Sequence, residues 1–378
     1  EGRFYVWTLA EVRGLLGADE AAFCARAWGL EPDGNYLDEA TGRRTGANVL
    51  HQAATPEDLA REFGGDASSV AVRLDAARRV LLAARDARPR PSRDDKVLAD
   101  WNGMMVAALA RAGRVLGDPA LVQTGAGAMD FLLARLWDTS GPGRALRHRY
   151  REGESAVDAF LDDYACLAWG CVELYEAQSA PRWLETALAL AAEMLERFVD
   201  PVDSGLFFTA HDAEVVLTRH KVFLEGAMPT GAAVAVETLL RLARLTGRAE
   251  LERATWGVLR AAGGVLAQLP GACPHLLSGL MLALGPGLEV VVVGDPETAD
   301  TKALLAAVNG VHTPELTLAL VTPEQGATMA ALAPFTRGMD RVAGRAAAYV
   351  CQGGACQRPA TDPAALAQLL AEGGWKGR

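Results

Sequence analysis

The sequence predicts a mainly α-helical protein, an (α/α)6 toroid of αα-hairpins that is incomplete at its N-terminus and ends in a small α/β unit. Three observations predict it. Nearly all-apolar helices open at positions 101, 162 and 228, at steps of 61 and 66 residues. An amphipathic helix follows each of them. After Gly285 the pattern switches to β-branched runs separated by helices. A helix that is apolar all round must be covered on every side, whereas its amphipathic partner leaves one face in water. Inner–outer pairs repeated around a closed ring meet both demands.

The elements follow in order. Phe4-Tyr5-Val6-Trp7 reads as a strand end, and Thr8 caps a helix carrying Leu9, Val12, Leu15 and Leu16 that Gly17 stops. Helices follow over Glu20 to Trp28, from Thr55-Pro56-Glu57, and over Ser68 to Ala87, where Pro89 and Pro91 break the pattern. Trp101 to Leu116 is the first inner helix, and its partner runs from Pro119 to Trp137. Asp162 to Gln178 is the second, with a partner from Pro181 to Val199. Met228 to Leu245 is the third, its partner starting at Arg248, and Pro274 to Leu284 is the fourth. A six-membered ring needs two further pairs, which would precede Glu1, so the chain reads as processed or as a piece of something longer. Gly205 to Thr209 and Val215 to Val222 read as a β-hairpin inserted near 205–222. Glu289 to Val293, Leu316 to Val321 and Ala346 to Cys351 read as strands, with helices over Ala299 to Val308 and Asp362 to Ala371. The expected domains are 1–285 and 286–378.

The net charge of −10 argues against a nucleic-acid partner, because phosphate binding needs a clustered positive surface. The basic stretch Arg85 to Arg93 is interrupted by Asp86 and reads as a solvated loop. No apolar run is long enough to span a bilayer, so no membrane partner is expected, and the start lacks the order of a signal peptide. Six cysteines without regular spacing suit a reducing compartment, and a cytoplasmic location is expected.

The segments Glu1-Gly2-Arg3-Phe4-Tyr5-Val6-Trp7, Asp94-Asp95-Lys96, Trp101-Asn102-Gly103-Met104, Leu161-Asp162-Asp163-Tyr164-Ala165, Glu225-Gly226-Ala227-Met228-Pro229 and Tyr349-Val350-Cys351 resemble, as an ordered set, the spermatogenesis-associated thioredoxin-like family with its bacterial YyaL-type members. The resemblance implies an (α/α)6 barrel similar to sugar epimerases and six-hairpin glycosidases, with a thioredoxin-like domain in the parent protein. This chain contains neither that domain nor the family's His-Phe-Glu-Lys motif. It also has Glu225-Gly226-Ala227 for the family's usual Asp-Gly-Ala, and Pro229-Thr230-Gly231-Ala232-Ala233 for Pro-Ser-Gly-Asn-Ser.

Carboxylates at the inner-helix openings are the leading candidates for chemistry. Asp94, Asp95 and Asp100 precede one, Asp158, Asp162 and Asp163 another, and Glu225 a third. In a toroid these openings gather around one pit, and paired carboxylates are what glycoside hydrolysis uses. Asp95, Asp162 and Asp163 are the catalytic candidates. Asp94, Asp100, Trp101, Asn102, Asp158, Tyr164 and Glu225 are candidates for substrate contact, with aromatics offering stacking faces to sugar rings. Asp158 and Asp162, four apart, share a face if the helix begins early enough. The competing reading is that an Asp at a helix start caps it, and that aromatics on apolar helices are core. Arg219 and Lys221, resembling a basic pair of the family, alternate on one strand face and could meet Glu225 or Asp162. The histidines lack metal-ligand spacing, so no metal or cofactor is expected. Cys351 and Cys356 lack the Cys-x-x-Cys spacing of a redox pair. Two functions follow. One is a carbohydrate-active protein, glycoside hydrolase- or epimerase-like, taking a small carbohydrate ligand. The other is a noncatalytic scaffold coupled to a thioredoxin-like domain, with a thiol-redox role for the cysteine pair as a further option.

Overall fold

Threonine caps open two of the first helices. Thr8 and Thr55 each accept the backbone N–H three residues on, while Glu11 and Asp58 reach back to the cap. In the computed structural model, which describes residues 2–39, 41–138, 145–214, 217–311 and 313–373, these helices belong to the first of two units, 1–95 and 96–378. The first unit holds α1 (Leu9–Leu16), α2 (Ala18–Trp28), α3 (Pro56–Phe63) and α4 (Ala67–Asp86) around a core that includes Val12, Phe23, Leu59 and Leu81. The strand end expected at Phe4 to Trp7 is a short 3-10 turn and a single bridge from Trp7 to Asn48. The buried Asn48 side chain bonds Trp7 O and the Glu31 N–H, which satisfies loop backbone that no sheet could.

The second unit opens with β1 (Val97–Leu98), α5 (Ala99–Leu116), α6 (Pro119–Leu136), β2 (Trp137–Asp138), β3 (Ala145–Arg151) and β4 (Glu154–Asp158). Then come α7 (Leu161–Gln178), α8 (Pro181–Phe198), α9 (Gly231–Thr246), α10 (Ala249–Gln268) and α11 (Pro274–Leu284). Helices α5, α7, α9 and α11 pack side by side as an inner arc, and α6, α8 and α10 each return behind the preceding member. This is the α/α toroid arrangement: α7 and α9 are buried almost throughout, while α8 and α10 keep a wet face. The end members carry large exposed apolar groups, Met105 and Leu116 on α5 and Met281 and Leu284 on α11. No β-hairpin forms near 205–222 among the described residues. Arg219 and Lys221 turn to carbonyls and to Asp200 instead, and the chain is held by a Val199–Leu206 bridge and a Phe208 N–H bond to His220 O. Val215 and Val216 of that expectation lie outside the described residues.

The C-terminal segment contains β5 (Leu288–Val293), α12 (Ala299–Asn309), β6 (Leu316–Val321), α13 (Gly326–Leu332), β7 (Ala347–Gln352), β8 (Ala355–Cys356) and α14 (Pro363–Gly373). Its sheet has the order β6-β5-β7-β8, with β5 and β6 parallel across the α12 crossover. Val291, Val293, Ala319 and Val321 on one face join the core of the helical arc. Val290, Val292, Leu318 and Leu320 on the other are covered together with Leu304 of α12 and Leu366 of α14. Burial on both faces explains the unbroken β-branched run, and it places the expected 285/286 boundary inside the second unit.

Helices α5 and α7 meet at glycines. A Cβ on Gly103 would lie 2.6 Å from the Cys166 carbonyl carbon, and one on Gly170 would lie 3.0 Å from Gly103 O. Because Asp100 and Asp163 meet at the N-terminal openings, and Arg111 and Glu173, eleven and ten positions further on, also meet, α5 and α7 run parallel and level. At that depth carboxylates are buried against Arg241, with the more exposed Arg111 and Arg114 reaching them from α5. Arg241 contacts Glu173, Glu176 and Glu237, Arg111 contacts Glu173 and Glu237, and Arg114 contacts Glu176 at 3.0 Å. Burial pushes the Glu173 carboxyl up, and the Arg241 and Arg111 guanidiniums override it, holding it well below the usual range.

Gly103→Ala should cost about 3 kcal/mol, since the obstacle is backbone rather than a movable side chain, and denaturant unfolding reads the loss. Arg241→Met should cost about 3–5 kcal/mol in the same measurement by leaving two buried carboxylates without their central cation.

Candidate functional site

The openings of α5, α7 and α9 meet. Asp163, fully buried in the first turn of α7, accepts the Phe160 N–H at 2.8 Å and the Asp100 N–H at 3.2 Å. Its two oxygens also face His148 Nδ1 at 2.9 and 3.0 Å. Burial raises the Asp163 carboxyl, while His148 and the Phe160 amide oppose the rise. Every contact of this carboxyl is with a donor, so the ionised form fits best, with the proton on His148 Nδ1. The hydrogen bond to Asp163 raises His148 above its ordinary value. Nε2 is left as the free acid–base atom of a ring that keeps partial exposure.

Asp162, the neighbour on the same turn, is treated differently. Its Oδ1 accepts the Gly231 N–H at 2.6 Å, at the opening of α9. A Cβ at 231 would lie 2.2 Å from that oxygen, so this approach requires glycine. Burial pushes the Asp162 carboxyl up to about 6, helped by Asp163 and Asp100 and opposed by the Gly231 amide and His148. The cluster therefore pairs an oriented imidazole with a carboxyl that titrates at about 6, so a minor part of it is still protonated at neutral pH. Asp100, His148 and Asp163 also present one ligand atom each within 4.8 Å of one another, a set that could hold a cation. In the structure His148 Nδ1 is already engaged by Asp163.

Of the residues singled out from sequence, Asp100, Asp162 and Asp163 come together. Asn102 bonds Leu98 O at 2.8 Å, and Trp101 stands 57% exposed in the first turn of α5. Tyr164 is core rather than a ligand contact. It is 1% exposed, packs edge-on against Phe198, and burial pushes its hydroxyl up to about 12. Asp158 ends β4 and pairs with Arg147. The helix starts only at Leu161, so Asp158 and Asp162 do not share a helix face. Glu225 accepts the His275 and Leu276 N–H groups and caps α11. Arg219 donates to Thr209 O and lies over the Phe207 ring. Lys221 meets Asp200 at 2.7 Å, and not Glu225 or Asp162. Asp94 and Asp95 are exposed residues at the end of the first unit. Cys351 and Cys356, register partners across the Gly353-Gly354 turn, are joined in a disulfide.

His148 is the residue that sequence reasoning missed. Its strand alternates Leu146, His148 and Tyr150 with Arg147, Arg149 and Arg151, and Leu146 is buried, which sets the inward face. The period of two was the available signal.

No family model matches the chain. It is 33% identical to spermatogenesis-associated protein 20 of Homo sapiens over 98% of its length, and 32% identical to that of Mus musculus. The chain spans about half the length of these curated relatives, 49% of each. Among solved structures it is similar to a family 76 α-mannanase of Bacteroides thetaiotaomicron, with a TM-score of 0.41 at 15% identity, covering 64% of this chain and 68% of that one. A cellobiose 2-epimerase of Bacillus thermoamylovorans gives a TM-score of 0.38 at 15% identity over 45% of each chain.

Asp162→Asn tests the environment of that carboxyl. Its folded value of about 6 lies above the unfolded one, so its contribution is complete below about pH 4 and is lost as the pH rises through 6. Between pH 4 and 7 the variant should gain on the natural protein by up to about 3 kcal/mol in urea unfolding. A difference that stays flat with pH would show an exposed, ordinary carboxyl.

Proposed function

We propose that the second unit binds a polyhydroxylated, sugar-like small molecule at the openings of α5, α7 and α9 and carries out proton transfer on it. The observation that supports this is the His148–Asp163 pair beside Asp162. Asp163 holds the imidazole in one tautomer, so Nε2 can take a proton from a substrate hydroxyl or C–H. Asp162, protonated over part of the population near neutral pH, can supply one to a leaving or carbonyl oxygen. Hydrolysis and epimerisation both need such a donor and acceptor. Phe160, 5.4 Å from His148, and Phe208 stacked on it at 4.8 Å add partly exposed aromatic surface next to the pair. The exposed Trp101 indole stands one residue from Asp100. Such faces suit the apolar C–H side of a sugar ring.

A second reading has one observation in its favour. Asp162, Asp163 and Glu225 all accept backbone N–H groups at helix openings, which is what caps in a noncatalytic scaffold would do. That scaffold would position a thioredoxin-like domain of a longer protein.

A thermal-shift screen against monosaccharides, oligosaccharides and sugar phosphates separates the two. A ligand at about a hundred times its dissociation constant should stabilise by about 2.7 kcal/mol. The shift should disappear in His148→Asn and in Asp162→Asn. Absence of any sugar-specific shift would favour the scaffold.

A further inference from the structure

The first unit carries a groove that the proposed function does not use. Its volume is about 620 Å³, within the range of small-molecule sites. Trp7 and Trp28, only 4% and 8% exposed, supply its aromatic wall with Leu81, and α4 supplies Arg78 and Arg85. The two arginines are seven residues apart and therefore share one face of α4, about 10 Å apart along its axis. No aspartate or glutamate lines the groove, in a chain of net charge −10.

The two guanidiniums differ in what they already hold. Arg85 lies 3.8 Å from Asp86, and its cation faces the Phe4 ring at 5.6 Å. Arg88, just beyond, is committed to the Phe4 and Val6 carbonyls, to Glu11 and to the Trp7 ring. Arg78 has no ion-pair partner among the described residues, and its guanidinium lies over the Trp28 ring at 6.0 Å. An unpaired guanidinium at the lip of an apolar, aromatic-walled groove complements one chemical class. We propose that this groove binds an apolar carboxylate, its acid group on Arg78 and its hydrocarbon body against Trp7, Trp28 and Leu81. A guanidinium offers two parallel N–H donors to a carboxylate, and the indole faces remove the body from water.

Isothermal titration of the whole chain with 2-naphthoate, decanoate and the uncharged 2-naphthalenemethanol tests this. One site per chain is expected for a carboxylate, with the alcohol at least tenfold weaker. The better of the two acids reports whether the body is flat or chain-like. Arg78→Gln should weaken the acid about tenfold and leave the alcohol unchanged. Ala71→Phe, placed on the groove lining, should abolish binding of both, with unchanged circular dichroism certifying the fold. Equal affinity for acid and alcohol, indifference to Arg78→Gln, or no binding of either acid at millimolar concentration would overturn the proposal.

Discussion

The close approach of α5 and α7 at Gly103 and Gly170 is the constraint on which the rest of the second unit depends. Backbone meets backbone there, with no side chain between them to take up slack. The two helices are thereby locked in height as well as in distance. Their openings come level, so the Asp100 amide reaches the Asp163 carboxylate. An alanine at Gly103 would set its Cβ against the Cys166 backbone and push the two helices apart. The chemistry of the openings is thus set by packing a turn and more below them.

Asp162 and Asp163 show how finely such a frame can divide like residues. They are adjacent in sequence and share the first turn of α7. Asp163 points to where two amides and an imidazole converge and is spent on orientation. Asp162 points across to α9, where the missing side chain of Gly231 admits it to a single amide. Burial without enough donors is what separates a titrating carboxyl from a structural one.

Much of this arrangement could be read before any coordinates. The inner helices announced themselves because total burial demands total apolarity, and the openings near 101, 162 and 228 follow from it, the third helix starting three residues later, at Gly231. The β5–α12–β6 crossover was equally legible, since Leu288–Val293 has no polar alternation and must be covered twice. What escaped depended on tertiary partners. The strand bearing His148 is rich in arginine, and its alternation is a weak signal beside so many charges. Tyr164 carries a hydroxyl that reads as functional until Phe198 and the Leu146 amide enclose it. Lys221 could not be assigned to Asp200 from spacing, because the segment that joins them forms loop and bridge rather than strand. The separate core of residues 1–95 left no mark either. Three of its four helices are short, and the set lacks the inner–outer alternation that identifies the arc.

The ion pairs joining α5, α7 and α9 bear on how the chain reaches this state. In ordinary helical repeats each hairpin needs only its neighbour, and folding spreads from any starting point. Here Glu173 takes one guanidinium from a helix some sixty residues before it and another from a helix about as far after it. A hairpin of α7 and α8 alone would leave Glu173 without either cation, on the face that α5 and α9 come to cover. Burying Glu173 therefore needs both neighbouring inner helices at once, which couples three hairpins that a modular outline would leave independent.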